Sequence, residues 1–107
     1  KKLQSLMDEK KLFLESNISL SSLAENVGIS VHHLSQILNE QLGLTFYDYI
    51  NSRRIEAAKE MLLDQKHANQ SISAIAFEVG YNSLSAFNSA FKKFTDRTPS
   101  QFRKEPK

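Results

Sequence analysis

Leu20-Ser21-Ser22-Leu23-Ala24-Glu25-Asn26-Val27-Gly28 is echoed 52 positions later by Ile72-Ser73-Ala74-Ile75-Ala76-Phe77-Glu78-Val79-Gly80. In both stretches apolar residues recur at helical spacing and a glycine, free to take positive φ, closes the run. The echo continues beyond the glycines: Leu34, Ile37, Leu38, Thr45 and Tyr49 stand against Phe87, Ala90, Phe91, Thr98 and Phe102, now at an offset of 53. One extra residue between Gly80 and Phe87 accounts for the slip, and turns absorb insertions at least cost. Two copies of one helical hairpin are therefore expected, the form of a two-module DNA reader.

Composition narrows the alternatives. A chain of 107 residues with 40% apolar content suits one compact domain, or two small lobes sharing a helix. No apolar run approaches the roughly 20 residues needed to cross a bilayer, and Lys1-Lys2-Leu3-Gln4 lacks a signal-peptide apolar region, so a soluble, cytoplasmic protein is expected. Cysteine is absent, which removes disulfides and thiolate metal sites. Net charge is +2 but uneven: residues 1–70 hold 8 Lys/Arg against 9 Asp/Glu, and residues 71–107 hold 6 against 3. The more basic second half suits a polyanion. The start at Lys1 without an initiator Met suggests a piece of something longer, with a sensing or dimerising region upstream.

Along the chain, Leu3, Leu6, Met7, Lys10, Phe13 and Leu14 predict an amphipathic helix over 3–14. Ser19 caps a helix ending near Val27, Ser30 caps one over about 31–42 closed by Gly43, and Thr45 caps a connector over 46–63. The connector carries Phe46, Tyr49, Ile50, Ile55, Ala58, Met61 and Leu62 on one stripe and should measure roughly 27 Å. Residues 64–70 read as a polar loop. Ser71 then caps a helix to Val79, Asn82 or Ser83 caps one to Thr95, and Thr98-Pro99 opens a last short helix, with fraying expected from Lys104. The expected fold is all-α, with about seven helices and no strand. Its organisation is a first lobe over 1–45, a connector over 46–63 and a second lobe over 70–104, forming one DNA-binding domain overall.

A helix-turn-helix puts its second helix in the major groove. In the first copy that helix holds Leu34, Ile37 and Leu38 inward and His32, Ser35, Gln36 and Asn39 outward, all able to bond bases. Gln36 is the sharpest candidate, because an outward carboxamide pairs with adenine through two bonds. In the second copy Phe87, Ala90, Phe91 and Phe94 face inward, leaving Ser85, Asn88 and Ser89 for bases and Lys92 and Lys93 for phosphates. Leu84 either meets a thymine methyl or packs as a staple near the helix start, the staple being favoured. Ser30, Asn82, Ser83, Arg53 and Arg103 complete the expected phosphate contacts, with Lys104 beside them. Of Arg53 and Arg54, one is expected on phosphate and the other bracing the core through carboxylates such as Glu25 or Asp48; spacing does not assign them.

Catalytic and metal chemistry find no foothold. Adjacent helical residues such as His32 and His33 point about 100° apart, with no third ligand at a useful offset. There is no Gly-rich phosphate loop, no G-x-S-x-G and no carboxylate pair on an apolar wall. Neither an enzyme nor a cofactor is expected.

Together these residues resemble the carboxy-terminal DNA-binding region of AraC/XylS-type bacterial transcription regulators over about residues 6–104. The likeness rests on 20–28, on Arg54-Ile55 with Ala58 and Leu62, and most specifically on Ile75-Ala76-Phe77-Glu78-Val79-Gly80-Tyr81 with Phe87-Asn88, Phe91-Lys92-Lys93-Phe94 and Thr98-Pro99-Ser100-Gln101-Phe102-Arg103. The resemblance implies two helix-turn-helix lobes on a long helix, and base reading by His32, Ser35 and Gln36, then by Ser85, Asn88 and Ser89. Asp96 stands where that family often has glycine, implying a more strained turn. Leu84 and Ser89 replace longer polar or basic side chains, implying weaker readout by the second lobe. The function expected is sequence-specific binding of double-stranded DNA, with RNA polymerase as a further partner. The competing class is a helical protein-interaction module that keeps the fold without DNA binding, and binding insensitive to salt would identify it.

Overall fold

Hydroxyl side chains set the helix starts in the computed structural model, which describes residues 5–104. Ser19 opens α1 (Leu20–Val27): its Oγ accepts from the Ser22 backbone N–H at 3.1 Å while Ser22 Oγ accepts from the Ser19 N–H at 3.0 Å. Ser30 Oγ accepts from His33 N at the start of α2 (Val31–Ile37), and Thr45 Oγ1 from Asp48 N at the start of α3 (Phe46–Leu63). Ser71 does the same for α4 (Ile72–Glu78) and Ser83, rather than Asn82, for α5 (Leu84–Thr95). α6 (Pro99–Lys104) begins with a reciprocal pair, Thr98 Oγ1 accepting from Gln101 N and Gln101 Oε1 accepting from Thr98 N. Each cap satisfies an amide that the helix itself leaves unpaired.

The repeat is present in the backbone bonds as well as in the sequence. Gly28 takes φ 86° and the Ile29 N–H returns to Ala24 O at 3.1 Å; Gly80 takes φ 108° and the Tyr81 N–H returns to Ala76 O at 3.0 Å. The second turn differs in detail, since Val79 leaves helical geometry (φ −91°, ψ 9°) before Gly80. The extra residue lies between Gly80 and the Ser83 cap.

Seven helical segments follow in the expected order with no strand among the described residues, but the first is not one helix. Over 3–14 the expected amphipathic helix is replaced by a single wide turn at Leu6–Lys10 and a tight one at Leu12–Leu14, hinged at Lys11 in left-handed geometry (φ 51°, ψ 48°). The reason is tertiary: past the hinge the chain turns so that Phe13 packs into the core of the first lobe while its carbonyl and that of Glu15 accept from Arg54. The expected stripe also named Leu3, which lies outside the described residues, as do the side chains of Leu6 and Lys10. The helix expected over 31–42 likewise changes pitch, α2 giving way to a wide turn at Leu38–Leu42 before Gly43. The polar loop contains a tight turn at Gln65–His67, and residues 105–107, expected to fray, lie outside the described residues.

Two cores form on opposite parts of α3. Met7, Phe13, Leu23, Ala24, Leu34 and Leu38 pack with Tyr49 and Ile50, whereas Ile75, Ala76, Val79, Tyr81, Phe87, Ala90, Phe91 and Phe102 pack with Ile55, Ala58 and Leu62. Leu23, Ala24, Leu34, Leu38 and Tyr49 are buried as their counterparts Ile75, Ala76, Phe87, Phe91 and Phe102 are, but the second lobe is built on a chain of rings: Tyr81–Phe87, Phe87–Phe91 and Phe91–Phe102 centroids are 5.6, 5.7 and 5.5 Å apart. Such tilted pairs add to burial through ring electrostatics. The described residues extend over 42 × 23 × 23 Å. No helix among them is long and apolar enough to cross a membrane.

Candidate nucleic-acid interface

The burial of Leu34 and Leu38 fixes which side of α2 faces outward. His32, Ser35, Gln36 and Asn39 are all exposed and line one shallow concavity along the helix. Glu40 completes its lining, a residue the outward-face argument missed. Its signal was the i, i+4 spacing from Gln36: Gln36 Nε2 donates to Glu40 Oε2 at 3.1 Å. In the second lobe the burial of Phe87, Ala90 and Phe91 leaves Ser85, Asn88, Ser89 and Lys92 exposed on α5, as the spacing predicts. Leu84, expected to pack as a staple, is 39% exposed at the first position of α5.

The charged candidates divide by what already holds them. Lys92 is exposed, its Nζ reaching only the Asp96 carbonyl at 3.4 Å. Lys93 is paired with Asp48 at 3.0 Å, a bond between α5 and the start of α3. Arg53, half-buried, donates to Asp8 at 3.0 Å and sits over the Tyr49 ring at 5.9 Å. Arg103, expected on phosphate, is committed elsewhere: it donates to Gln70 O at 2.9 Å and His67 O at 3.1 Å, clamping the inter-lobe loop onto α6. A guanidinium supplies both donors at once, adding to the Gln70 N–H that His67 O already accepts.

Arg54 is the bracing arginine, and it uses main-chain carbonyls rather than Glu25 or Asp48. Buried among the lobes, it donates from Nε to Phe13 O at 2.7 Å and from Nη2 to Glu15 O at 2.9 Å, and it lies 5.1 Å from the Tyr81 ring centre. Burial lowers its pKa from the ordinary value; burial pushes the Tyr81 hydroxyl up to about 12 against the opposing pull of Arg54. That hydroxyl donates to Asn51 Oδ1. Gly80 admits this arrangement, since a Cβ there would lie 2.7 Å from Arg54 Nε and 3.0 Å from Leu14 O.

Two short helices meeting at a glycine turn, the second with a polar exposed face, define a helix-turn-helix lobe, and the molecule has two. The family model described as a helix-turn-helix domain matches residues 23–105. An uncharacterized HTH-type transcriptional regulator of Staphylococcus aureus (strain COL) is 39% identical over 102 residues, covering 95% of this chain but 13% of that relative. The C-terminal domain of AraT, a response regulator from Geobacillus stearothermophilus, is 32% identical with a TM-score of 0.81, covering 96% of this chain and 84% of that one. The DNA-binding domain of AdpA, a global transcriptional factor solved with a target DNA, superposes with a TM-score of 0.81 over 100% of this chain and 98% of that one; at 16% identity this is a likeness of fold alone. The chain belongs to the family of AraC-type helix-turn-helix domains, a family of DNA-binding transcription regulators rather than of enzymes.

Proposed function

We propose that this chain is the output domain of a transcription regulator, binding double-stranded DNA sequence-specifically with α2 and α5 in successive major grooves. The observation that carries the reading is the pair of exposed polar faces on equivalent helices of the two lobes: His32, Ser35, Gln36 and Asn39 on and just beyond α2, and Ser85, Asn88 and Ser89 on α5. A long axis of 42 Å suits reading helices spaced near the roughly 34 Å turn of B-DNA, with bending of the duplex absorbing any mismatch. Lys92 and the outward hydroxyls of Ser30 and Ser83 supply phosphate contacts, because a cap oxygen that accepts from an amide still has its own O–H to donate. Asn82 beside Ser83 adds an amide donor. Lys93 and Arg53 reach phosphate by exchanging their carboxylate partners for it. The two unequal lobes call for an asymmetric site rather than a palindrome. We place the domain in the cytoplasm, with RNA polymerase downstream of it and a sensing or dimerising region upstream.

Selection from a randomised duplex pool, followed by fluorescence anisotropy and a salt titration, tests the reading. The expected result is two enriched blocks about one helical turn apart and a steep loss of affinity with salt. Gln36→Ala should cost about 1–3 kcal/mol on the preferred site and relax one or two base pairs. Lys92→Ala should weaken all sequences and lower the salt slope by about one. No enrichment and no salt-sensitive binding would leave a protein-docking module in its place.

A further inference from the structure

We infer that Glu40 is a positioning residue that sets the base preference of the first lobe by occupying one N–H of Gln36, an inference that rests on the DNA-binding reading above. The Gln36 carboxamide has two N–H donors and one carbonyl acceptor. Left free, it offers a guanine, which presents two acceptors in the major groove, both of its donors. Bonded to Glu40 Oε2 at 3.1 Å, it keeps one donor and one acceptor on its outward edge, the complement of adenine N7 and its amino group. The bond also fixes which way the amide points, since turning it over would set Oε1 against the carboxylate. Glu40 itself lies one turn further from the helix start, in the wide turn Leu38–Leu42, on the side of the shared concavity away from the leading residues that meet base edges. Its charge opposes phosphate, so it costs affinity on every duplex while narrowing the choice of base, a trade of attraction for discrimination.

The test uses the 107-residue chain and duplexes carrying A or G at the position that Gln36→Ala identifies. Wild type should prefer adenine. Glu40→Ala should reduce the adenine-to-guanine ratio about tenfold, and should leave that ratio unchanged when Gln36 is already Ala, tightening both duplexes equally. Glu40→Gln, which keeps a carbonyl acceptor and removes the charge, should retain the preference while binding all duplexes more tightly. Glu40 is exposed, and thermal melts matching wild type will show that the fold is kept. An unchanged ratio in Glu40→Ala, or a wild-type preference other than adenine at that position, overturns the inference while leaving DNA binding intact. Absence of any salt-dependent, selective binding by wild type overturns both readings.

Discussion

Gly80 has no room for a side chain, and Gly43 has nothing near it. Both hold positive φ, at 108° and 65°, but a Cβ on Gly43 would meet nothing within 4 Å, whereas one on Gly80 would press on Arg54 and on Leu14 O. Gly43→Ala should therefore cost about 1 kcal/mol, the left-handed strain alone, and Gly80→Ala about 3 kcal/mol, because displacing a guanidinium from its carbonyls adds to the strain. Urea unfolding followed by circular dichroism measures both, and equal losses would show that the contact with Arg54 does not matter. The neighbouring Tyr81 predicts an alkaline weakness. Its hydroxyl is held up to about 12, above the ordinary 10, so the folded state favours the protonated form. The contribution is complete below pH 10 and is lost as pH rises from there through about 12. Tyr81→Phe should lose about 1 kcal/mol at neutral pH with the bond to Asn51, and should flatten the decline above pH 10. An identical decline in both proteins would place the alkaline sensitivity elsewhere.

The starts of α1 to α6 were legible because their signals are local: a hydroxyl three residues before the amide it caps and an apolar stripe after it, with a glycine turn following α1 and α4. The segment over 3–14 was not, because its break at Lys11 serves Arg54, 41 residues beyond Phe13, and no periodicity records such a partner. The outward faces of α2 and α5 were legible for the same reason as the helices, being the complement of the buried stripe. The commitments of Arg103, Arg54 and Lys93 to loop carbonyls or to Asp48 were not, since long charged side chains choose among many partners that spacing does not rank. At Asp96 the strained turn implied by the family resemblance is present. This residue closes α5 at φ 63°, ψ 17°, and its carboxylate stands at the negative end of the helix dipole. Asp96→Gly should stabilise the domain by about 1 kcal/mol by removing both costs, and Asp96→Asn by less, since it removes only the charge. A melting temperature unchanged in Asp96→Gly would mean that the strain is already relieved by the surrounding turn.

At the scale of the whole molecule, two cores share one helix, and what makes them one unit is a small set of residues at their junction. Leu14 and Ala57 pack against both cores, and Arg54 ties the chain at Phe13 and Glu15 to the side of Gly80 and Tyr81. Removing the guanidinium leaves the Phe13 carbonyl without its donor at the seam and the Glu15 carbonyl with the Ile18 N–H alone, a penalty of about 1–3 kcal/mol. Arg54→Met should therefore lower stability by that amount and, beyond it, let the lobes open separately. Lysine should not restore the coupling, because one compact ammonium cannot serve both carbonyls and lie against the Tyr81 ring. Hydrogen exchange read segment by segment distinguishes the possibilities: in wild type the amides around Leu23 and Leu34 should open with the same free energy as those around Ile75 and Phe87, and in Arg54→Met the two groups should part. Were they to stay together in the variant, the continuous helix α3 alone would be transmitting the cooperativity. Were they to differ already in wild type, the lobes would be independent readers on a common rod, and the spacing of the two DNA blocks would be held by the rod and not by the seam.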